Sequence, residues 1–322
     1  MIVDSPARQM TVTPMRPGEE AAWRDALERS VNGTFYHDPA FSAVHAWKAA
    51  QVVNLIFREA GRVIALLTAG VVDDGGGPVL RSPFSASFGG PVLVERLSLR
   101  QAIAVVSALE AWARAEGLAQ IVLQPPPAIY WRDLDESLEF ALRYAGYTVA
   151  GTELTYYLGG LGGLHPVVLR NARKATAAGC RVVPTADLDR VWEFLAGVKA
   201  LRGHPFDLRR EDTVRLGEAF PGRVVGFEVR HAGETVAAML AYLLNERTTL
   251  AFHWAQRPEA QHYRPSDLLV LEAARWAFAR GARTFDLGTV TLAGQPVWGV
   301  ARFKEKFRPF AALRRRYAKA IA

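Results

Sequence analysis

Cationic and aromatic side chains alternate in one short stretch near the end of the sequence. This stretch, GVARFKEKFRPF, runs from Gly299 to Phe310 and places Lys304 between Phe303 and Phe307. Three more cations crowd the same residues: Arg302, Lys306 and Arg308. The pattern predicts a strand or irregular extension, with both phenylalanines on one side. It fits a solvated edge strand whose lysines prevent aggregation, and equally a site where a base stacks on a ring and a cation neutralises a phosphate.

A second set of cations falls on a predicted helix in the segment HPVVLRNARKATAAG, residues 165–179. Pro166 suits the first turn of that helix. Arg170, Arg173 and Lys174 stand at i, i+3 and i+4, so they share one face. Like charges at this spacing repel one another weakly, and a bound phosphate would relieve the repulsion. The pattern fits a solvated basic helix as well as it fits an anion site.

A third segment, residues 256–288, reads as a loop, a helix and a short apolar strand. The helix is expected to start near Pro265 and Ser266, where the first backbone amides could bind an anion. Tyr263, in the loop, is counted with Ser266 among the substrate- or phosphate-binding candidates. Asp286 follows an apolar strand residue and is a candidate for orienting a substrate amine, although an aspartate that shapes a turn would look the same.

Several familiar kinds of catalytic site are missing from the sequence. It contains no HExxH motif and no paired Cys/His spacing that would hold zinc, and neither a P-loop nor a GxSxG nucleophile motif. The single cysteine, Cys180, rules out an intrachain disulfide and is typical of a reducing cytoplasm. We therefore expect no metal and no permanently bound cofactor, and catalysis by positioning and charge.

Net charge and hydropathy limit the kinds of partner that this protein is expected to have. The 322 residues include 39 Lys and Arg against 32 Asp and Glu, a formal net charge of +7. This excess suggests an anionic partner such as a phosphorylated substrate, RNA or a membrane surface. The apolar run at residues 63–72 is far shorter than the roughly 20 residues that cross a bilayer, and the N-terminus shows no signal-peptide pattern. We expect a cytoplasmic protein, with peripheral membrane association compatible with its charge.

The same order of elements occurs twice along the sequence. FREAGRVIALLTA (57–69) matches VRHAGETVAAMLA (229–241), and each reads as a hairpin with an Ala-Gly turn. WARAEG (112–117) matches WAFARG (276–281), and each reads as a helix end followed by a short apolar strand. Two matches in the same order favour duplication of one mixed α/β unit.

The glycine-rich stretch LGGLGGLHP, residues 158–166, suits a boundary between the copies. We therefore predict two domains, residues 1–158 and 159–322, each of mixed α/β (α+β) class. Hydrophobic periodicity predicts helices near 18–31, 97–116, 134–145, 166–178, 187–202, 211–219 and 266–280, and strands near 52–72, 119–124 and 223–253, with further strands after residue 280.

The chemistry-bearing segments, in this order, resemble the FemABX-type branch of the GNAT superfamily, whose members contain two tandem GNAT-like domains packed together. Members carry an R-N-x-R-K-A…G helix, a P…L…A…G…(F/Y)DLG stretch and a late F-K-x-x-F motif. The matching residues are Arg170, Asn171, Arg173, Lys174, Ala175 and Gly179; Pro265, Leu269, Ala277, Gly281, Phe285, Asp286, Leu287 and Gly288; and Phe303, Lys304 and Phe307. The early FYHDPAFSAVHAW, residues 35–47, resembles the family's F-x-Q-x…W segment, with His37 in place of the usual Gln.

The resemblance implies acyl transfer to an amine. In the peptidoglycan-building members, an aminoacyl-tRNA donates its aminoacyl group to an amine of a cell-wall precursor peptide. Lys304, with Phe303, would then lie by the tRNA terminus and stabilise the developing oxyanion or the leaving hydroxyl. Arg170 and Lys174 would hold phosphates of the precursor. Substituting Lys304 is expected to abolish transfer with little loss of stability.

Two alternatives stay open. Relatives in polysaccharide-linked pathways point to an acyl-CoA-dependent N-acyltransferase acting on a sugar or amine. Typical GNAT enzymes bind the CoA pyrophosphate with a [Q/R]xxGx[G/A] loop, whereas the corresponding QRPEAQHYRPS contains no glycine to let the backbone approach a phosphate. The other alternative is a non-catalytic module whose basic faces only bind nucleic acid.

Overall fold

The two hairpins predicted from the repeated Ala-Gly sequence are present and have the same turn. The computed structural model describes residues 10–321 apart from Arg202, His204 and Pro205. In it, φ is +49° and +80° at Ala60 and Gly61, and +50° and +87° at Ala232 and Gly233. Two consecutive residues with positive φ form the tight turn whose twist matches that of the flanking strands. The repeated dipeptide therefore marks the same local structure twice.

The described part of the chain contains strands and helices distributed along its whole length. The strands are β1 (Met10–Pro14), β2 (Gln51–Glu59), β3 (Arg62–Asp73), β4 (Pro78–Ser82), β5 (Val92–Leu93), β6 (Gln120–Leu123), β7 (Thr148–Leu158), β8 (Arg181–Thr185), β9 (Val224–His231), β10 (Glu234–Leu243), β11 (Thr248–Gln256), β12 (Thr284–Thr289), β13 (Thr291–Leu292), β14 (Gln295–Pro296) and β15 (Phe310–Ala320). The helices are α1 (Glu20–Arg29), α2 (Pro39–Val44), α3 (Leu99–Ala115), α4 (Ser137–Tyr144), α5 (Pro166–Ala177), α6 (Leu188–Leu201), α7 (Arg210–Ala219), α8 (Pro265–Ala279) and α9 (Trp298–Glu305). Every predicted helix is present within a few residues of its expected bounds. None of the described helices is long and apolar enough to span a membrane.

The chain divides into two compact units, one comprising residues up to Thr152 together with those from Arg314 onward, the other Glu153–Leu313. The predicted boundary lay at 158/159 and assigned the C-terminal end to the second domain, so the structure differs in both respects. The reason is strand pairing. Tyr317–Ala320 of β15 pair with β6 and complete the sheet of the first unit, whereas β7 pairs with β12 of the second unit through residues beyond 152.

The first unit is a mixed sheet in the order β1-β2-β3-β4-β6-β15, with β5 paired to β3. Most neighbours are antiparallel, and β4 runs parallel to β6. In β3, residues 64–70 are all buried, which explains why this strand reads as a continuous apolar run. Helix α3 contributes Val105, Val106 and Leu109 to the core, and its start is fixed by a capping box between Ser98 and Gln101.

The second unit has the equivalent order β7-β12-β11-β10-β9-β8. Here β11 runs parallel to β12, and helices α8 and α6 both contact the central strands. The core is formed by α8 side chains such as Leu269 and Ala273 packed with Phe227 and Met239 of the sheet. The order hairpin, third strand, helix and parallel strand thus occurs in both units, as the repeated sequence predicts.

The parallel pair β11–β12 is short and then separates. Its register covers Thr248–Leu250 opposite Thr284–Asp286, although β11 continues to Gln256. A bulge lies in β11 beside this point, because Ala251 opposes Ala241 and His253 opposes Leu240, which leaves Phe252 as an extra residue. A bulge bends its strand and increases the local twist. The two strands consequently diverge and leave a gap between them.

The segment around Lys304 is a helix, so the prediction of an extended segment is wrong. Trp298–Glu305 form α9, and Phe307 follows directly. The rings of Phe303 and Phe307 lie 5.7 Å apart between centroids. A spacing of four residues places two side chains on one side of a helical segment, and the alternation of aromatic and charged residues was compatible with either structure.

Candidate active site

A cleft of about 810 Å³ opens in the second unit where β11 and β12 separate. Residues 251–256 of β11 and 287–289 of β12 form two of its walls, and the start of α8 and part of the segment 291–306 form the rest. Its described charged side chains are the cations Lys199, Arg264, Lys304 and Lys306 and the carboxylate of Asp267. The excess of positive charge favours an anionic ligand.

Lys304 is held at a fixed position in this cleft. Its side chain is buried, with the residue only 3% exposed. Nζ donates hydrogen bonds to the carbonyl oxygens of Gly288 at 3.0 Å and Thr289 at 2.8 Å, and it lies 5.1 Å from the centre of the Trp254 ring. An ammonium group held in surroundings poor in water can stabilise negative charge that develops on a nearby oxygen.

Phe303 also lines the cleft and presents an apolar surface beside Lys304. Its ring packs against the fully buried Phe307. The ammonium of Lys306 lies 4.2 Å from the Phe303 ring centre, a distance at which a cation is attracted to the ring face. The aromatic and cationic residues noticed in the sequence therefore do meet, although through a helical geometry.

Asp286 is completely buried and does not line the cleft. Its Oδ1 accepts hydrogen bonds from the hydroxyl of Thr155 at 2.6 Å and from the backbone N–H of Gly288 at 2.7 Å. Gly288 has φ of +78°, a conformation that glycine adopts without strain. Asp286 thus fixes the turn that presents the Gly288 carbonyl to Lys304, and the structure places it behind the cleft wall rather than against a substrate amine.

The first turn of α8 borders the cleft, and the hydrogen-bond donors of Ser266 are already used. Pro265 has no N–H to offer. The backbone N–H and the hydroxyl of Ser266 both donate to Oε1 of Gln256, at 3.2 and 2.6 Å. A phosphate at this expected anion site would have to displace the Gln256 side chain.

A carboxylate lies at the same helix start. Asp267 is 3% exposed, and its Oδ1 accepts hydrogen bonds from Nζ of Lys306 at 2.7 Å and from Nδ2 of Asn171 at 3.3 Å. The helix dipole favours a negative charge at this end. The protein's own carboxylate therefore occupies a position that would otherwise attract an anionic ligand.

His253 contributes an uncharged imidazole to the cleft. It is half-buried, and its ring contacts Phe206 edge-on at 5.3 Å between centroids. Burial, with a smaller contribution from the nearby Lys199, lowers the pKa of His253 to about 4, whereas Asp207 acts in the opposite direction. The imidazole is therefore neutral at physiological pH and can accept a hydrogen bond or a proton.

Residues 167–305 match the model of the acetyltransferase (GNAT) domain family. The second unit is a GNAT acyltransferase domain. Both the strand separation and the buried lysine described above lie within the matched residues. Among curated proteins, no sequence matches the chain.

Solved structures with a similar fold cover nearly the whole chain. The structure of FemX is similar with a TM-score of 0.73 at 10% identity, over 95% of this chain and 96% of that one. The C-terminal domain of a proposed lysylphosphatidylglycerol synthetase from Agrobacterium fabrum gives 0.61 at 14% identity, over 93% and 90%. A tandem GNAT protein from the clavulanic acid biosynthesis pathway gives 0.51 at 14% identity, over 98% and 99%. The predictions of a mixed α/β tandem GNAT fold, of a FemABX-like protein and of an acyltransferase are confirmed.

The basic helix α5 of the GNAT domain does not contribute its cations to the cleft. Arg170, Arg173 and Lys174 are exposed, while Val168 and Ala175 on the other side of the helix are buried. None of the three cations lines the cleft. Their predicted contact with phosphates stays a prediction.

Two further candidates, Tyr263 and His37, also lie outside the residues that line the cleft. Tyr263 stacks on His231, with 4.3 Å between ring centroids. His37 belongs to the first unit and is 1% exposed, and the backbone N–H of Thr34 donates to its Nδ1 at 3.2 Å. Burial lowers the pKa of His37 to about 4.

The sequence analysis missed most of the β11 side of the cleft. Trp254, Gln256 and His253 all come from the single stretch AFHWAQ at the end of β11. Polar and aromatic residues at the end of an otherwise apolar strand were the available signal, because a strand end beside a gap is where side chains can reach a ligand. Asp267 was likewise overlooked beside Ser266.

Proposed function

We propose that this acyltransferase moves an aminoacyl group from aminoacyl-tRNA to an amine of a cell-wall precursor or a related small acceptor. The observation that carries the proposal is the buried ammonium of Lys304, fixed by two backbone carbonyls inside a cationic cleft. A fixed cation next to an apolar aromatic wall suits a reaction in which negative charge develops on an acyl oxygen.

In the proposed reaction the acceptor nitrogen attacks the acyl carbon of the ester. The carbonyl oxygen becomes negatively charged as the C–N bond forms, and the ammonium of Lys304 stabilises that charge. The C–O bond to the tRNA terminus then breaks, the leaving oxygen takes up a proton and the amine loses one. Because Gly288 and Thr289 already hold the ammonium in place, little reorganisation is needed at the moment of reaction.

The start of α8 favours an ester donor over a CoA thioester. Ser266 gives its N–H and hydroxyl to Gln256, and the loop before it contains no glycine that would let the backbone approach a pyrophosphate. FemX and the proposed lysylphosphatidylglycerol synthetase are among the structural neighbours, and the second name denotes an aminoacylated product. Both points support aminoacyl transfer.

An acyl-CoA donor is the second candidate. Support comes from the tandem GNAT protein of the clavulanic acid biosynthesis pathway. Its structure is specified as the one without acetyl-CoA, which associates that thioester with a tandem GNAT fold. The acceptor in this case would be an amine of a sugar or small molecule.

The candidate residues outside the cleft are proposed to bind the acceptor. Arg170, Arg173 and Lys174 form an exposed cationic face that would hold phosphates of a nucleotide-linked or lipid-linked precursor, where bidentate arginine contacts are strong. Asn171 would orient the helix through its bond to Asp267. We assign the same substrate-binding role to Tyr263, from the loop before α8, and to His37, which stands where the family it resembles usually has Gln.

The test compares donors directly. Purified protein is incubated with total tRNA charged with labelled amino acids, or with acetyl-CoA, and with a cell-wall precursor peptide that bears a lysine amine. We expect a labelled amide from charged tRNA, strongly reduced in Lys304→Met and retained in Lys48→Met, which changes a lysine of the first unit. Product from acetyl-CoA and none from charged tRNA would overturn the proposed donor in favour of the second candidate.

A further inference from the structure

We propose that Asp267 is a specificity-determining residue that excludes donors carrying a pyrophosphate, coenzyme A above all, from the cleft. The inference deepens the proposed function and rests on its assignment of the cleft as the donor site. The buried carboxylate of Asp267 gives a direct physical reason for the exclusion of coenzyme A. The missing glycine in the preceding loop gives only an indirect one.

The carboxylate of Asp267 lies at the start of α8. Asp267 is the third residue of α8, in the turn where a helix presents its N–H groups and the positive end of its dipole. A phosphate bound there would sit where the Asp267 side chain now lies. Because this residue is only 3% exposed, its carboxylate cannot swing into water without breaking the contacts that bury it.

The ammonium of Lys306 is already paired with this carboxylate. The ammonium of Lys306 donates to Oδ1 of Asp267 at 2.7 Å and also lies against the ring of Phe303. The amide of Asn171 adds a second hydrogen bond to the same oxygen, at 3.3 Å. A pyrophosphate would therefore meet a neutralised lysine and a carboxylate of its own sign.

The two kinds of anionic donor carry their phosphates at different distances from the acyl group. Coenzyme A places its pyrophosphate at the far end of a long pantetheine arm, whereas an aminoacyl ester is attached directly to the terminal ribose of tRNA. A block at the start of α8 therefore acts on the first donor, and Lys304, Lys199 and Arg264 still give the cleft its positive charge. Specificity of this kind comes from an unfavourable contact with the wrong ligand.

The experiment measures ligand binding and does not depend on turnover. Wild type, Asp267→Ser and Asp267→Asn are titrated by calorimetry with coenzyme A and with pantetheine, which lacks every phosphate. We expect both variants to bind coenzyme A at least tenfold more tightly than wild type, with pantetheine affinity unchanged. Asp212→Asn, which alters a buried aspartate of α7 outside the cleft, serves as the matched control and should behave as wild type.

Two results would overturn the inference: no gain in coenzyme A affinity in either variant, or an equal gain for pantetheine. Asp267→Asn keeps the size of the side chain and an oxygen acceptor for Lys306, so it supplies the answer should the serine variant fail to fold. Amide formation from charged tRNA by wild type is measured on the same preparation. If no amide forms, the proposed donor is refuted. The coenzyme A titrations would still test the role of Asp267 independently.

Discussion

Replacing Lys304 with methionine keeps most of the side-chain stem and removes the ammonium group. Lys304 is 3% exposed and donates to the carbonyl oxygens of Gly288 and Thr289. Leaving buried acceptors without their donor costs about 1–3 kcal/mol. We therefore expect the free energy of unfolding to fall by that amount, which revises the expectation from sequence that this substitution would hardly affect stability.

The effect of Lys304→Met on catalysis should be larger than its effect on stability. Removing a single preorganised donor to an oxyanion typically lowers kcat by about 10²–10³-fold. Trp254 and Phe303 remain as the apolar walls of the cleft, so binding of the ground-state donor should change little. The loss should consequently appear in kcat and in kcat/KM alike, with KM nearly constant.

Single-turnover amide formation from charged tRNA, measured alongside urea unfolding, separates the two effects. Lys48→Met provides a lysine-to-methionine control in the first unit, and Lys304→Arg tests whether charge alone suffices, since a guanidinium is wider than an ammonium. A folded Lys304→Met protein whose kcat stays within about threefold of wild type would refute the oxyanion role, because the expected loss is at least tenfold greater.

Three smaller predictions follow from the same geometry. Gly288→Ala places a Cβ on a residue with φ of +78° and 3.6 Å from Nζ of Lys304, so we expect a stability loss of about 1–2 kcal/mol and a lower kcat; unchanged values of both would contradict it. His37 has a native pKa of about 4 against about 6.5 when unfolded, so the unfolded state binds more protons between these values and stability falls as pH drops through that window, by about 3 kcal/mol in all. In His37→Gln the urea midpoint should depend less on pH in this window. An unchanged dependence would mean that other groups cause the loss of stability at acid pH. Lys199→Met removes a cation that lowers the pKa of His253, so the NMR titration of that ring should move to higher pH, whereas a shift to lower pH would argue against the contact.

The repeated local patterns were predictable because each depends on neighbours in sequence. An Ala-Gly pair between apolar strands needs only a two-residue turn with positive φ, and Ala60 and Ala232 adopt it alike. Helices such as α3 follow from spacing and from a capping residue, here Ser98. The long strand β7 and the pairing of β15 with β6 were not predicted, because the partner strands lie far away in sequence and a local pattern carries no record of pairing.

The candidate site was predictable in its residue types but not in its contacts. Lys304 and Phe303 were found, and both line the cleft. That Lys304 would be buried against Trp254, fifty positions earlier, depends on how β11 leaves β12, which is a tertiary property. Asp286 shows the converse, since its motif position suggested contact with a substrate, whereas its hydrogen bonds to Thr155 and Gly288 make it a support for the turn.

The two units differ at their equivalent pairs of parallel strands. In the first unit, β4 ends at Ser82, and its parallel pairing with β6 extends to that last residue. In the second unit, β11 continues six residues past the last paired residue, Leu250, and the bulge at Phe252 turns those residues away from β12. Because the difference lies in strand length and one extra residue rather than in the order of elements, a duplicated scaffold can have a closed strand pair in one copy and an open cleft in the other.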